Sequence, residues 1–298
     1  MATPYKFIDE NNFKTWFLMV TFLVFVFGLG YLIAYLTKQS WIFYIAVIFG
    51  LLTNIWSYYY GDRLITFLTG AKEVNKNDIP EIYRILENLS ITAGLPKTPR
   101  LFLIDTPHMN AFATGRNPEN SLVAVTKGLI QNLNKEEIEG VIAHEISHIK
   151  NRDIKIMMIA TILAGIVAIM ADIFLRWGLW SSSDRENKGN GILIIFGFIL
   201  ALLAPIFAQL FQFAISRKRE FLADASGALL TQNPLGLANA LEKISKQKTE
   251  LNVSPVTAGL FIVNPFRNKN GIVSWLANLF STHPPVEERI KRLKELII

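Results

Sequence analysis

Long apolar runs alternate along this chain with stretches of mixed polarity. Trp16 to Leu36, Trp41 to Tyr60, about Ile156 to Leu175 and Gly191 to about Ile215 are each roughly 20 residues long or more. At about 1.5 Å rise per residue, such runs cross a hydrocarbon layer of about 30 Å. The pattern therefore predicts four transmembrane helices in two tight hairpins. The first run is too long for the apolar part of a cleaved leader and no small-residue cleavage site follows it, so it reads as a retained anchor. Trp16, Trp41, Trp56, Tyr58, Tyr59 and Tyr60 stand near the ends of the first pair, where amphipathic rings favour the headgroup layer.

The intervening segments carry shorter periods. Asp78 and Pro80 open a helix that Gly94 closes, with Ile82, Ile85, Leu86 and Leu89 as its apolar stripe. Strand-like runs follow at Arg100 to Ile104, Asn110 to Thr114 and Leu122 to Val125, punctuated by Pro107, Gly115 and Pro118. Asn134, with Glu137 three residues later, starts another helix with an acidic first turn. Asn233 and Pro234 open a helix to about Lys248, and Pro285 opens the last, to Ile298. Leu251 to Thr282 has no clear period; its patches AGLFIV and WLANLF could line a cleft, touch lipid or form a lid.

The resulting division is an N-terminal hairpin (1–62), a first polar segment with a small sheet and a helix (63–153), a second hairpin (154–215) and a second polar segment (216–298). No internal repeat or low-complexity tract occurs. The fold class is a mainly α integral membrane protein with an α+β domain, formed jointly by the polar segments if they share a site.

Composition agrees: of 298 residues 51% are hydrophobic, and the mean hydropathy is +0.32, high for a soluble chain. The excess of 30 Lys+Arg over 24 Asp+Glu leaves +6. Much of it flanks the apolar runs, at Lys150, Arg152 and Lys155 and at Arg217, Lys218 and Arg219, which suits anionic lipid headgroups. No basic stripe interleaved with aromatics appears, so nucleic acid is not a predicted partner. Lys6, Lys14, Arg63, Lys72 and Lys76 bracket the first hairpin, whose loop holds only Lys38. Termini and polar segments are thus predicted to face the cytoplasm of a multi-pass cell-membrane protein. Arg176, Arg185 and Lys188 in the second hairpin's loop run against this bias, with Asp184 and Glu186 among them. Asp172 and Arg176, one helical turn apart near the outer end of the third run, can pair or snorkel, and no other mid-depth charge suggests a transporter. There is no cysteine, so a metal must sit on His, Asp or Glu.

HEISH, from His144 to His148, supplies such ligands. Residues four apart share a helical face, so both imidazoles reach one cation while Glu145 lies beside it. Two histidines leave a catalytic zinc short of a third protein ligand and a water. Glu145 is placed to accept that water's proton and to deliver it to a leaving amine. For the third ligand the best candidate is SRKREFLAD, where Glu220 and Asp224 are again four apart: one carboxylate can bind metal while the other fixes a ligand imidazole's tautomer.

HEISH, two apolar spans, EFLAD, MNAFATG upstream and THPPVEER downstream resemble, in that order, the HtpX family of membrane zinc metalloproteases, relatives of the CAAX prenyl endopeptidases. The resemblance covers nearly the whole chain. It implies a zincin-like metalloprotease domain holding one Zn²⁺ per chain, with His144, His148 and Glu220 as ligands, Glu145 as base and Asp224 in support. It further implies that Asn110 and Ala111 belong to a sheet edge holding substrate backbone, and that His283 and Arg289 lie near the metal to stabilise an oxyanion. His108 gains no role. This chain is shorter than the prenyl endopeptidases, so their large chamber is not implied.

The implied activity is endopeptidase cleavage of misfolded or damaged membrane proteins, with membrane proteins and the bilayer as partners. No Walker-type loop is present, so no nucleotide is expected. The other readings are a processing peptidase for one lipidated or membrane-bound substrate, and a zinc-stapled scaffold, which has no use for Glu145 inside the motif. Oligomeric state, a homo-oligomer included, stays open.

Overall fold

The computed structural model describes residues 4–163, 165–167, 217–247, 262 and 284–296. The fourth predicted span, the end of the third (168–175), Asp172, Arg176 and His283 lie outside the described residues.

Two long helices form the N-terminal hairpin, α1 (Pro4–Thr37) and α2 (Trp41–Thr69). Their apolar windows are only 28% and 22% buried, and Val24, Tyr44 and Leu52 are among many large side chains left exposed. A soluble core helix would hide such surface; a bilayer accepts it. Within the hairpin the Asn54 amide nitrogen donates to the carbonyls of Met19 on α1, 3.4 Å, and Gly50 on its own helix, 3.3 Å, so its N–H groups find acceptors in both helices.

The chain leaves the metal motif through Asn151–Asp153 and enters an apolar helix, α6 (Ile154–Val167). The described residues thus contain two helices of spanning length and one shorter apolar helix. α6 packs beside α2 at Gly61, where an added Cβ would lie 2.7 Å from Ile162 Cδ1 and 2.9 Å from Met158 Sδ. A small residue is what lets these helices approach so closely.

A four-stranded sheet follows α2: β1 (Lys72–Glu73), β2 (Arg100–Ile104), β3 (Ala111–Asn117) and β4 (Asn120–Thr126). Its order is β1-β2-β4-β3, with β2 and β4 parallel and the other pairs antiparallel. β2 coincides with the predicted run, while β3 and β4 extend beyond theirs. Because side chains alternate faces, Leu101, Ala113, Val123 and Val125 enter the core of the polar domain. Phe102, Phe112, Leu122 and Ala124 instead join Phe22, Val26, Ile65, Met158 and Ile162 from α1, α2 and α6. The sheet is therefore buried on both faces and joins the membrane helices to the polar domain.

The remaining helices are α3 (Pro80–Ala93), α4 (Lys127–Asn132), α5 (Lys135–Lys150), α7 (Arg217–Thr231), α8 (Pro234–Lys246) and α9 (Val286–Glu295). α3 stops at Gly94 as predicted. At the start of α5, Asn134 Oδ1 accepts from the Glu137 N–H, 2.9 Å, and Glu137 Oε2 accepts from the Asn134 N–H, 2.8 Å. This reciprocal cap supplies two of the helix's unpaired donors with acceptors. From Gly140 to Ile149 every residue of α5 is buried, so the motif runs through the domain centre, between the sheet and α3 on one side and α7 and α8 on the other.

Candidate metal centre

α5 and α7 bring the two sequence motifs together. Gly227 on α7 sits against the backbone of α5, where a Cβ would lie 3.0 Å from His144 N. That approach carries Asp224 and Glu220, about one and two turns earlier, over the histidines. His144 Nε2 is 3.7 Å from Glu220 Oε2, His148 Nε2 is 3.5 Å from Glu220 Oε1, and the two Nε2 atoms are 3.2 Å apart. Donor atoms of His144, His148 and Glu220 all lie within 4.8 Å of one another, and all three residues are buried.

The donor set fits a cation. Asp224 Oδ1 lies 2.9 Å from His144 Nδ1, and Asp153 Oδ2 lies 3.2 Å from His148 Nδ1. A carboxylate beside each Nδ1 assigns the ring proton there. Both Nε2 lone pairs then face each other and a third carboxylate, an arrangement that only a metal or an extra proton reconciles.

The charges follow from the same contacts. Burial, aided by the Arg289 charge, pulls His144 down to about 4 against the opposing effect of Asp224. Burial also disfavours charge on His148, but Glu220 and Asp153 outweigh it and push the group up to about 9. In the protein without metal, the Glu220 and Asp153 carboxylates therefore favour the reconciling proton on His148. Its pKa exceeds the ordinary 6.5, so its contribution to stability is complete below pH 6.5 and fades as pH rises through about 9. Metal binding has the opposite sense, because it must displace that proton. Zinc affinity measured by chelator competition should strengthen roughly tenfold per pH unit between pH 6 and 8 and flatten above about 9.

Glu145 is raised to about 7, chiefly by burial, with Glu220 adding and His148 opposing. Its Oε2 accepts from the Ala113 N–H at 2.7 Å. Just before β3 the Asn110 carbonyl accepts from Thr126 N on β4. Antiparallel pairing alternates direction, so the main-chain groups of Ala111 and Ala113 point away from β4. Asn110 faces inward: its N–H donates to Thr126 Oγ1, 3.0 Å, and its side-chain oxygen accepts from Ile262 N, 3.0 Å.

Arg289 is fully buried. It donates to Asp224 twice, from Nε at 2.8 Å and from a terminal nitrogen at 2.6 Å, and that nitrogen stands 3.4 Å from His144 Nε2. This fork holds the Asp224 carboxyl far below the ordinary range despite burial. Arg289 is thus brought to the centre as expected. His108 lies on a half-buried bend, and no described contact ties it to the metal cluster.

Three residues at the centre escaped sequence reading. Asp153, beyond holding His148, pairs with Arg219 and accepts from the Asn11 amide at 3.0 Å. Asp153 stands just before α6, and the turn at Arg152, φ 57°, swings it back to His148. Asn11 belongs to α1, 142 residues away along the chain, so no local signal could reveal it. Asp153→Ala should weaken zinc binding about 10–100-fold, and Asn11→Ala less. Chelator titration of the two purified variants would check this order.

Two imidazoles and a carboxylate converging from two helices, with a second carboxylate at the next residue along, define a metalloprotease of the HExxH class, here in a membrane-embedded chain. Residues 76–297 match the model of peptidase family M48, and the chain belongs to that family, in which zinc dependence is general. It is 44% identical over 294 residues to a protease HtpX homologue of Dictyoglomus turgidum, covering 98% of this chain and 94% of that one. A protease HtpX homologue of Pyrococcus furiosus is 45% identical over 287 residues, covering 95% of each. The crystal structure of S. mikatae Ste24p matches 97% of this chain and 67% of its own at a TM-score of 0.50 and 19% identity, a likeness of fold alone.

Proposed function

We propose that the chain is a zinc endopeptidase of the cell membrane that hydrolyses peptide bonds of misfolded or damaged membrane proteins at the cytoplasmic face. The observation that carries this is the sheet's double burial: one face packs on the metal-motif helix and the other on α1, α2 and α6. Substrates already in the bilayer would meet the site without passing through water.

In this proposal His144, His148 and Glu220 hold one Zn²⁺, which when bound polarises the scissile carbonyl and acidifies a water. Glu145 acts as general base, its carboxyl near neutral pKa suited to taking that proton and returning it to the leaving amine. The outward edge of β3 at Ala111, continuing from the flanking Asn110, receives the substrate as an added strand, a mode that reads main chain rather than sequence. Asp224 fixes the His144 ring. Arg289, a positive charge held on Asp224, acts with His283 on the developing oxyanion.

The test reconstitutes the full chain in vesicles with one cleavable sequence, presented either behind a transmembrane anchor or as a free peptide. The anchored form should be cut at least roughly tenfold faster, as raised effective concentration requires. Equal rates would remove the membrane from the account. Cleavage confined to a single substrate among several unrelated unfolded membrane proteins would favour a dedicated processing role.

A further inference from the structure

We propose that a cavity at the membrane-facing end of the sheet, remote from the metal-binding residues, binds the phosphate of an anionic phospholipid headgroup. The cavity has a volume of about 270 Å³ and lies between the Tyr58 to Arg63 stretch of α2, the segment leading into β2 and the β3–β4 turn, with Met158 of α6 closing its apolar side. Its depth in the bilayer follows from chain length. Counting about 1.5 Å per residue from Trp41, α2 completes about 30 Å at Tyr60. Tyr59, Asp62 and Arg63, which line the cavity, therefore sit at headgroup level.

The lining charge is positive. Arg63, Lys97, Arg100 and Arg116 face Asp62 and Glu119. Arg100 is engaged, donating to Asp62 at 2.6 Å and standing 3.9 Å from Glu73. Arg63, Lys97 and Arg116 have no carboxylate partner among the described residues, and Glu119 offsets one of them. The two arginines are held by aromatic faces instead: Arg63 lies 5.3 Å from the Tyr60 ring centre and Arg116 lies 5.6 Å from that of Tyr59. A guanidinium stacked in this way keeps its N–H edges free for bidentate contact with a phosphate. The volume falls just below the usual range for ligand pockets. It admits a headgroup while the acyl chains stay in the bilayer beside α2 and α6.

Site and metal centre share one strand. Arg116 lies three residues beyond Ala113, whose N–H bonds Glu145. A headgroup on Arg116 would tie the edge strand to the membrane surface at the end opposite the metal, so the inference stands whether or not the chain cuts peptide bonds.

The experiment uses the full chain in nanodiscs of phosphatidylcholine doped with phosphatidylglycerol, followed by detergent release and native mass spectrometry of retained lipid. The wild type should retain one phosphatidylglycerol in preference to phosphatidylcholine. Arg63→Gln with Arg116→Gln should cut retention about tenfold or more, consistent with loss of charge-assisted contacts. Lys97→Gln, an exposed change that leaves both stacked arginines in place, should lower it by a smaller factor. Lys291→Gln, far along the chain on α9, should leave it unchanged. Retention equal for the two lipids, or unaffected by the double arginine variant, would overturn the proposal. Displacement of the lipid by equimolar inorganic phosphate would overturn it too, since the site would then recognise the free ion.

Discussion

Glu145→Gln in the full-length chain is expected to lower peptide hydrolysis by about 10²–10⁴-fold, the usual contribution of a positioned general base, while zinc content stays at one per chain. Gln keeps the side chain's length and can still accept from the Ala113 N–H, a contact of 2.7 Å in the structure, so the fold has no reason to change. What disappears is a buried group whose pKa, raised to about 7, lets it take and return a proton near neutral pH. Steady-state cleavage of an anchored substrate, with metal analysis of the same preparation, separates the two effects. Hydrolysis at the wild-type rate with zinc bound would exclude Glu145 as the base.

Asp224→Ala should be the most destabilising single change at the centre. Asp224 is the partner of the fully buried Arg289, with contacts at 2.8 and 2.6 Å, and removing it strands that guanidinium away from water. Breaking a buried pair from one side costs about 3–5 kcal/mol, whereas replacing both partners by apolar groups is often neutral. Asp224→Ala should therefore lower the thermal unfolding temperature in detergent sharply, and Asp224→Ala with Arg289→Met should recover most of the loss. Zinc affinity should not recover, because the His144 ring would still lack its Nδ1 acceptor. A double variant that restores both would show that Asp224 serves folding alone.

Local rules were enough to find much of this structure. The helix from Pro80 to Gly94 is bracketed by a proline and a left-handed glycine, both visible in the sequence, and Asn134 with Glu137 announces the reciprocal cap that begins the metal-motif helix. Pairs four apart on a helix made His144, His148, Glu220 and Asp224 candidates, and the structure gathers all four. Hydropathy found the first two spans but not their full helices: α1 runs Pro4–Thr37 and α2 runs Trp41–Thr69, because a helix continues past the hydrocarbon that apolar runs report.

Contacts between distant residues were not legible. β1 is two exposed residues made a strand only by pairing with β2. The insertion of β4 between β2 and β3, and the double burial of the sheet, depend on which helices cover it. The tie from Asn11 through Asp153 to His148 spans the membrane hairpin and the metal motif, and nothing in either segment alone points to the other.

The central claim is that His144, His148 and Glu220 hold a catalytic zinc. X-ray absorption at the zinc edge of the loaded, full-length chain tests it most directly. The account predicts two imidazole nitrogens, oxygen from one carboxylate and one water, at about 2.0–2.2 Å. A shell of four protein ligands with no water, or zinc that stays bound unchanged after Glu220→Ala, would contradict it.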